Sequence, residues 1–412
     1  MGKLRSALCL LCILLLIPAL LRARRILPLD TRPLVAEKYA GWTGVLNLWI
    51  HEGWPSGAGS IAAWLNECVS GFEKVHPGVY VQPLYVDAGA IASLNDSGIL
   101  PPDMLIFPPD LLSTPEGLAA LDAPRRLRPG LSRCGEWNGS IYAVPVAMGG
   151  YLWALNTRLI DAIPDDWRDS DATLSVPPPQ AWRRWDAALL ALCSGRYAPS
   201  DPNSTRTPSP DLPGEMELGL AGGETPAPTP PPEHLEGATL PRRLPSGFQY
   251  DDEAWQRFIN GEAAALPVTQ REVRRLQALS EQGKGPDWRL SPGDNAFTDQ
   301  LLSLAIVDKP DAAKRALCED FLMWLLSDEC QAALCRASAF GVTDAPSGYG
   351  MSDPLALMDS ALRGSGLSVP GMFDGQWIPR TEEIVRKYVS GVEEGPALWG
   401  EFRRMLAKNT ND

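Results

Sequence analysis

Histidine is nearly absent from this 412-residue chain, which carries three. His51, His76 and His234 are not spaced as a metal pair, which argues against histidine-based zinc catalysis. His51-Glu52 resembles a fragment of a zinc-helix signature, without its second histidine or its helix. The chain also lacks a G-x-S-x-G elbow, a P-loop and a dinucleotide fingerprint, so no cofactor and no enzyme class is indicated. Positive charge is in deficit: 37 Lys and Arg face 50 Asp and Glu, and the resulting −13 argues against a nucleic-acid partner. Six cysteines, Cys68, Cys134, Cys193, Cys318, Cys330 and Cys335, match no zinc spacing and read either as core thiols or as oxidisable pairs. So many carboxylates leave any glycosidase-type pair unmarked.

What is present begins with an apolar run, Ala7 to Leu21, between Lys3 and Arg5 on one side and Arg22, Arg24 and Arg25 on the other. Its length suits an export signal and falls slightly short of a perpendicular membrane span. No small-x-small cleavage site follows, and neither Cys9 nor Cys12 has the preceding small residue of a lipoprotein signal. Residues 1–28 are expected to direct export, either as a cleaved signal or as a retained N-terminal membrane anchor. The chain as a whole is 45% apolar, ordinary for a globular protein, and long enough for two domains.

Val45–Ile50 alternates as a strand, and Ser60 caps a helix reaching Val75, with Ile61, Trp64, Leu65, Cys68, Val69 and Phe72 on one face. Strands are expected at Val79–Val86 and Met104–Phe107, with a helix at Ala88–Leu94 between them. Strand, helix, strand, helix, strand is the arithmetic of an α/β lobe. Residues Ile141–Leu159 then read as two apolar strands interrupted by Gly149-Gly150, a segment crossing from one lobe to another. Helices follow at Trp182–Cys193, Asp251–Asn260 and Arg271–Gln282, and a strand at Glu262–Val268. Phe297–Val307 carries the return crossing. Further helices are expected at Ala312–Ser327, Asp328–Ala337, Asp353–Gly364, Thr381–Glu393 and Pro396–Lys408. Between them, residues 196–246 hold twelve prolines and no apolar period, the composition of a disordered or polyproline-like loop.

Open α/β sheets place ligands at strand ends. There the sequence offers His51, Glu52 and Trp54, then Phe107 and Asp110, then Met148, Tyr151 and Trp153. Thr269 and Gln270 follow EAAALPV, and Trp377 precedes a late helix. Each alone also reads as a cap, a core aromatic or a solvated charge.

Five segments, in order, resemble extracellular solute-binding proteins of the carbohydrate-binding type, the group that includes maltose-binding protein. They are GVLNLWIHEGW (Gly44–Trp54), PPDMLIFPPD (Pro101–Asp110), GSIYAVPVAMGGYLWALNTRLI (Gly139–Ile160), FINGEAAALPVTQ (Phe258–Gln270) and DAAKRALCEDFLMWLLSDECQAAL (Asp311–Leu334). The resemblance implies an α/β, two-lobe, periplasmic-binding-protein-like (type II) fold. It divides the chain into a first lobe, 40–146 plus 297–342, and a second, 147–296 plus 343–408. It further implies a monomer that closes on a small polar solute, a carbohydrate by type, and delivers it to the permease of an ABC importer. Carried over by position, His51, Glu52, Trp54 and Phe107 become first-lobe contacts, Met148 and Tyr151 stand at the crossing, and Thr269, Gln270 and Trp377 become second-lobe contacts. The proline-rich stretch departs from the family pattern and implies a reduced second lobe. An extracytoplasmic interaction or sensing protein with an eroded ligand site is the alternative, and an exported hydrolase with two cleft carboxylates a third reading.

Overall fold

The computed structural model describes residues 42–94, 101–122, 126–164, 172–178, 250–292, 296–363, 367–373 and 377–390, with 124, 195–196, 238–239, 375, 401–402 and 405. Residues 1–43 form one unit of the chain and 44–412 the other. The apolar run of residues 7–21, the helices expected at 182–193 and 396–408 and most of the proline-rich stretch lie outside the described residues. So does the region on which a reduced second lobe would rest. Among the described residues no helix is long and apolar enough to cross a membrane.

Strand β1 (Gly44–Ile50) buries Leu46, Leu48 and Ile50. The Ser60 hydroxyl accepts from the Ala63 amide at 3.0 Å and starts helix α1 (Ile61–Val75), which buries the six apolar residues its periodicity marked. Strand β2 (Val79–Tyr85), the short helix α2 (Ala88–Ala92) and the fully buried β3 (Met104–Phe107) follow. β1 pairs in parallel with both β2 and β3, an arrangement that requires crossover connections between the strands. A small hairpin, β4 (Glu136–Trp137) and β5 (Ser140–Ile141), turns on Asn138 and Gly139, both at positive φ. An Asn-Gly pair adopts that turn at little steric cost.

Strand β6 (Val144–Met148) belongs to a five-stranded sheet that also holds β12 (Leu301–Ile306), in the order β2-β1-β3-β12-β6. After Gly149-Gly150, β7 (Tyr151–Asn156) is the centre of a separate three-stranded sheet, between β10 (Ala265–Thr269) and β11 (Trp288–Ser291). The chain therefore changes sheets where the two glycines stand. Backbone pairing between β8 (Gly195–Arg196) and β9 (Ala238–Thr239) ties the ends of the stretch read as a loop. Helix α3 (Ala254–Ile259) leads to β10 (Ala265–Thr269), and Thr269 with Glu272 forms a capping box for helix α4 (Gln270–Glu281). Strand β11 (Trp288–Ser291) pairs antiparallel with β7, as β10 does.

Strand β12 (Leu301–Ile306) returns to the larger sheet, antiparallel to β3 and β6. Helices α5 (Ala312–Leu325) and α6 (Asp328–Ala333) pack against α1. A 3-10 turn, Leu334–Ala337, replaces the last turn of the second expected helix. Phe340 then exchanges backbone hydrogen bonds with Met148, and α7 (Pro354–Leu362) packs on α4 and β11. Helix α8 (Trp377–Ser390) begins at Trp377 itself, four residues before the expected start.

Two buried polar side chains, Gln331 and Asp103, are held by several partners each. Gln331 donates to the Val146 and Leu325 carbonyls at 3.0 and 2.8 Å and accepts from the Val342 amide at 2.7 Å. Asp103 receives Lys309, Lys314 and the Asn47 amide, each at 2.8 Å. Burial pushes its carboxyl up, but these donors more than offset that and leave it below the ordinary value. Cys68, Cys134, Cys318 and Cys330 are buried thiols, and Cys335 is half-buried.

Candidate functional site

Three parallel strands end side by side, and their carboxyl ends carry the polar rim. The chain leaves β1 with the His51 amide bound to the Ile106 carbonyl at 2.9 Å. The His51 ring holds the Val86 carbonyl through Nδ1 at 3.2 Å. Glu52 is half-buried and accepts a hydrogen bond from the Ala62 amide at the start of α1. Burial raises its carboxyl above the ordinary range, and the Ala62 bond and His51 offset part of that rise. Tyr85, opposite Ile50 at the end of β2, is 44% exposed. Partial burial and the nearby Glu52 charge push its phenol up to about 12. Together they present a carboxyl, an imidazole and an aromatic face at one sheet end. That set can exchange hydrogen bonds with hydroxyls and stack on an apolar ring face. It contains no nucleophile paired with a base.

The loop after β1 then runs back across the crossing. Trp54 is buried and donates Nε1 to the Leu301 carbonyl at 3.4 Å. At Gly57 a Cβ would lie 2.7 Å from the Gln270 carbonyl oxygen and 2.8 Å from Ser338 Cβ. The loop therefore touches the first turn of α4, an element of the smaller sheet's side, backbone to backbone.

At the crossing itself the polar groups close on one another. Gln270 accepts from the Gly150 amide at 3.1 Å and donates to Gln300 Oε1 at 2.9 Å. Thr298 donates to the Gly149 carbonyl at 2.9 Å, and the Gly149 amide donates to the Gln300 carbonyl at 2.7 Å. Tyr151 donates its hydroxyl to Asp299 Oδ1 at 2.7 Å. Thr269 is occupied as the α4 cap and also donates to Glu272.

Of the residues singled out in the sequence, His51 and Glu52 reach the rim. Met148, Tyr151, Thr269 and Gln270 come together at the crossing, all buried. Trp54 bridges the two groups. Phe107 is buried against Phe373, with ring centroids 6.4 Å apart, and Trp153 lies in the core of the smaller sheet. Asp110 takes a positive φ of 68° and its amide binds the Met372 carbonyl at 3.2 Å. Trp377 is buried, stacked on Phe297 with ring centroids 6.0 Å apart and tilted against Phe402 at 5.7 Å. Tyr85 and Gln300 were missed. Tyr85 was absorbed into its strand, although its register beside Ile50 put it at the same sheet end as His51. Among the described residues no group of three or more His, Cys, Asp or Glu could hold a metal ion.

A family model described as bacterial extracellular solute-binding protein matches residues 79–346. No curated protein matches the chain. Among solved structures, a family 1 extracellular solute-binding protein from Bifidobacterium longum subsp. infantis is 14% identical, with a TM-score of 0.57 over 89% of this chain and 100% of that one. Maltodextrin-binding protein MalE1 from L. casei BL23, without ligand, is 12% identical, with a TM-score of 0.56 over 90% and 100%. A cyclo/maltodextrin-binding protein complexed with maltotetraose is 14% identical, with a TM-score of 0.56 over 90% and 98%. At such identities the likeness is one of fold, the α/β type II arrangement of periplasmic binding proteins. The family match, by contrast, spans well over half of the sequence, and the chain belongs to the bacterial extracellular solute-binding proteins.

Proposed function

We propose that this protein captures a carbohydrate between two α/β lobes and delivers it to the permease of an ABC importer. The observation that carries the reading is the rim of His51, Glu52 and Tyr85 at the carboxyl ends of β1 and β2, in a chain of solute-binding family. A carboxylate and an imidazole meet sugar hydroxyls, and the exposed tyrosine face meets the apolar side of the ring. Trp54, Met148, Tyr151, Thr269 and Gln270 form the layer beneath, which positions the rim and becomes ligand-facing as the lobes part. In the same reading the protein binds without catalysing, acts as a monomer outside the cytoplasm, and is exported by the apolar run of residues 7–21, which stays as its anchor.

A second reading has one observation in its favour. Trp54, Phe107, Met148, Tyr151, Thr269, Gln270 and Trp377 are all buried among the protein's own atoms. An extracytoplasmic interaction or sensing protein that keeps the fold without a solute fits that burial. Calorimetric titration with maltose, maltotetraose and a panel of other sugars separates the two. Saturable binding is expected, weakened about 2- to 10-fold by Glu52→Ala, the effect of one hydrogen bond worth about 0.5–1.5 kcal/mol. Heat-silent titrations with every sugar would favour the second reading and end the first.

A further inference from the structure

We propose that Cys68 and Cys330 become a disulfide that staples α1 to α6 when this exported chain folds. Both cysteines are buried, and neither takes part in the rim or the crossing. Two indoles hold their backbones in place reciprocally. Trp64 of α1 donates Nε1 to the Cys330 carbonyl at 2.8 Å, and Trp324 of α5 donates Nε1 to the Cys68 carbonyl at 2.8 Å. Gly71 makes room for the second of these, since a Cβ there would lie 2.8 Å from Trp324 Cζ2. Cys68 and Cys330 thus stand on the two helices that these indoles hold together, and each thiol acts on the other. That mutual influence, with burial, raises the Cys68 thiol, and it lowers the Cys330 thiol below the ordinary range.

A disulfide here requires the two sulfurs to be drawn to about 2.05 Å, across a helix contact that the paired indoles already hold in place. A chain outside the cytoplasm meets a thiol-oxidising environment. The oxidant is a disulfide, either a small molecule such as oxidised glutathione or an exported dithiol oxidase. One cysteine thiolate attacks its S–S bond, forms a mixed disulfide and releases one reduced thiol. The other cysteine thiolate then attacks the mixed disulfide, closes the Cys68–Cys330 bond and releases the second. Two electrons and two protons leave with the two released thiols. Because both sulfurs are buried in the folded protein, exchange precedes the docking of α6 on α1. The bond closes a loop from position 68 to position 330, and long loops restrict the unfolded chain most.

The test uses the full chain exported into an oxidising compartment, unfolded in denaturant without reductant, alkylated and digested. Cys134 and Cys318, buried elsewhere in the fold, are expected to label. Cys68 and Cys330 are expected to stay unlabelled and to appear as one linked peptide, lighter by about 2 Da than its two parts. In Cys68→Ser, Cys330 should label without reduction. The melting temperature of the wild type should fall on adding reductant, and that of Cys68→Ser/Cys330→Ser should not respond. Full labelling of both cysteines in the unreduced wild type overturns the proposal, as does an equal response of both proteins to reductant. None of these readouts depends on sugar binding.

Discussion

Replacing Gly149 by alanine tests whether the crossing is packed as tightly as its hydrogen bonds imply. A Cβ at position 149 would lie 2.1 Å from Gln300 Oε1 and 2.7 Å from Gln270 Nε2. Those atoms end flexible side chains, which ordinarily would swing aside. Here both glutamines are buried, bonded to each other, and Gln270 is bonded to the Gly150 amide as well. Moving them leaves a buried amide unsatisfied, at about 1–3 kcal/mol. Crowding a filled site costs about 1–3 kcal/mol more. Gly149→Ala is therefore expected to lose about 2–6 kcal/mol in a urea titration. In a Gln300→Ala background the vacated space admits the methyl group. The two changes should then couple by at least about 1 kcal/mol, a value typical of residues in contact. A loss below about 0.5 kcal/mol, or one that simply adds to that of Gln300→Ala, would refute the reasoning.

Glu52 has a folded value raised above its ordinary 4.5, so ionising it costs the folded state and the protein loses stability as pH climbs past that point. Relative to its offset in acid, Glu52→Gln should gain on wild type from pH 4.5 up to the raised folded value and then hold that gain; a constant offset across a pH series of melts would contradict this. Asp103 behaves oppositely, with a folded value depressed below 3.8, so its contribution is complete above that pH and vanishes as the carboxylate protonates. Asp103→Asn should cost about 2–4 kcal/mol at neutral pH, since two lysines and the Asn47 amide lose a charged acceptor. The gap should begin to narrow once the pH falls below 3.8 and continue to shrink with further acidification, as a series of urea titrations from pH 7 downward would reveal.

Local signals carried most of the secondary structure. Ser60 and the spacing from Ile61 to Phe72 fixed α1 to the residue, and Met104–Phe107 needed only its run of apolar side chains. β11 escaped because Trp288–Ser291 buries one apolar residue, Leu290, and its partner β7 is distant in sequence. The hairpin at Asn138-Gly139 had a turn signal, but its strands of two residues carry no period. The site was harder to read. Phe107 and Trp377 stand at element ends exactly as Tyr85 does, yet they meet Phe373 and Phe297 and so turn inward. Whether an aromatic at a strand end meets solvent is decided by such long-range neighbours, which no local pattern encodes.

Three lengths of backbone pass abreast at the crossing: residues 148–151, residues 298–301 beside them, and Phe340 on the other flank, each bonded to the next. One thread between two bodies would let them swivel freely. Three in a row resist torsion, because twisting shears the bonds of Gly149 to Gln300 and of Met148 to Phe340. What remains soft is a single swinging coordinate, like that of a door on its pins. In the capture proposed above, shutting such a door on a guest would forfeit little conformational entropy, so weak contacts at the rim would suffice for a useful grip.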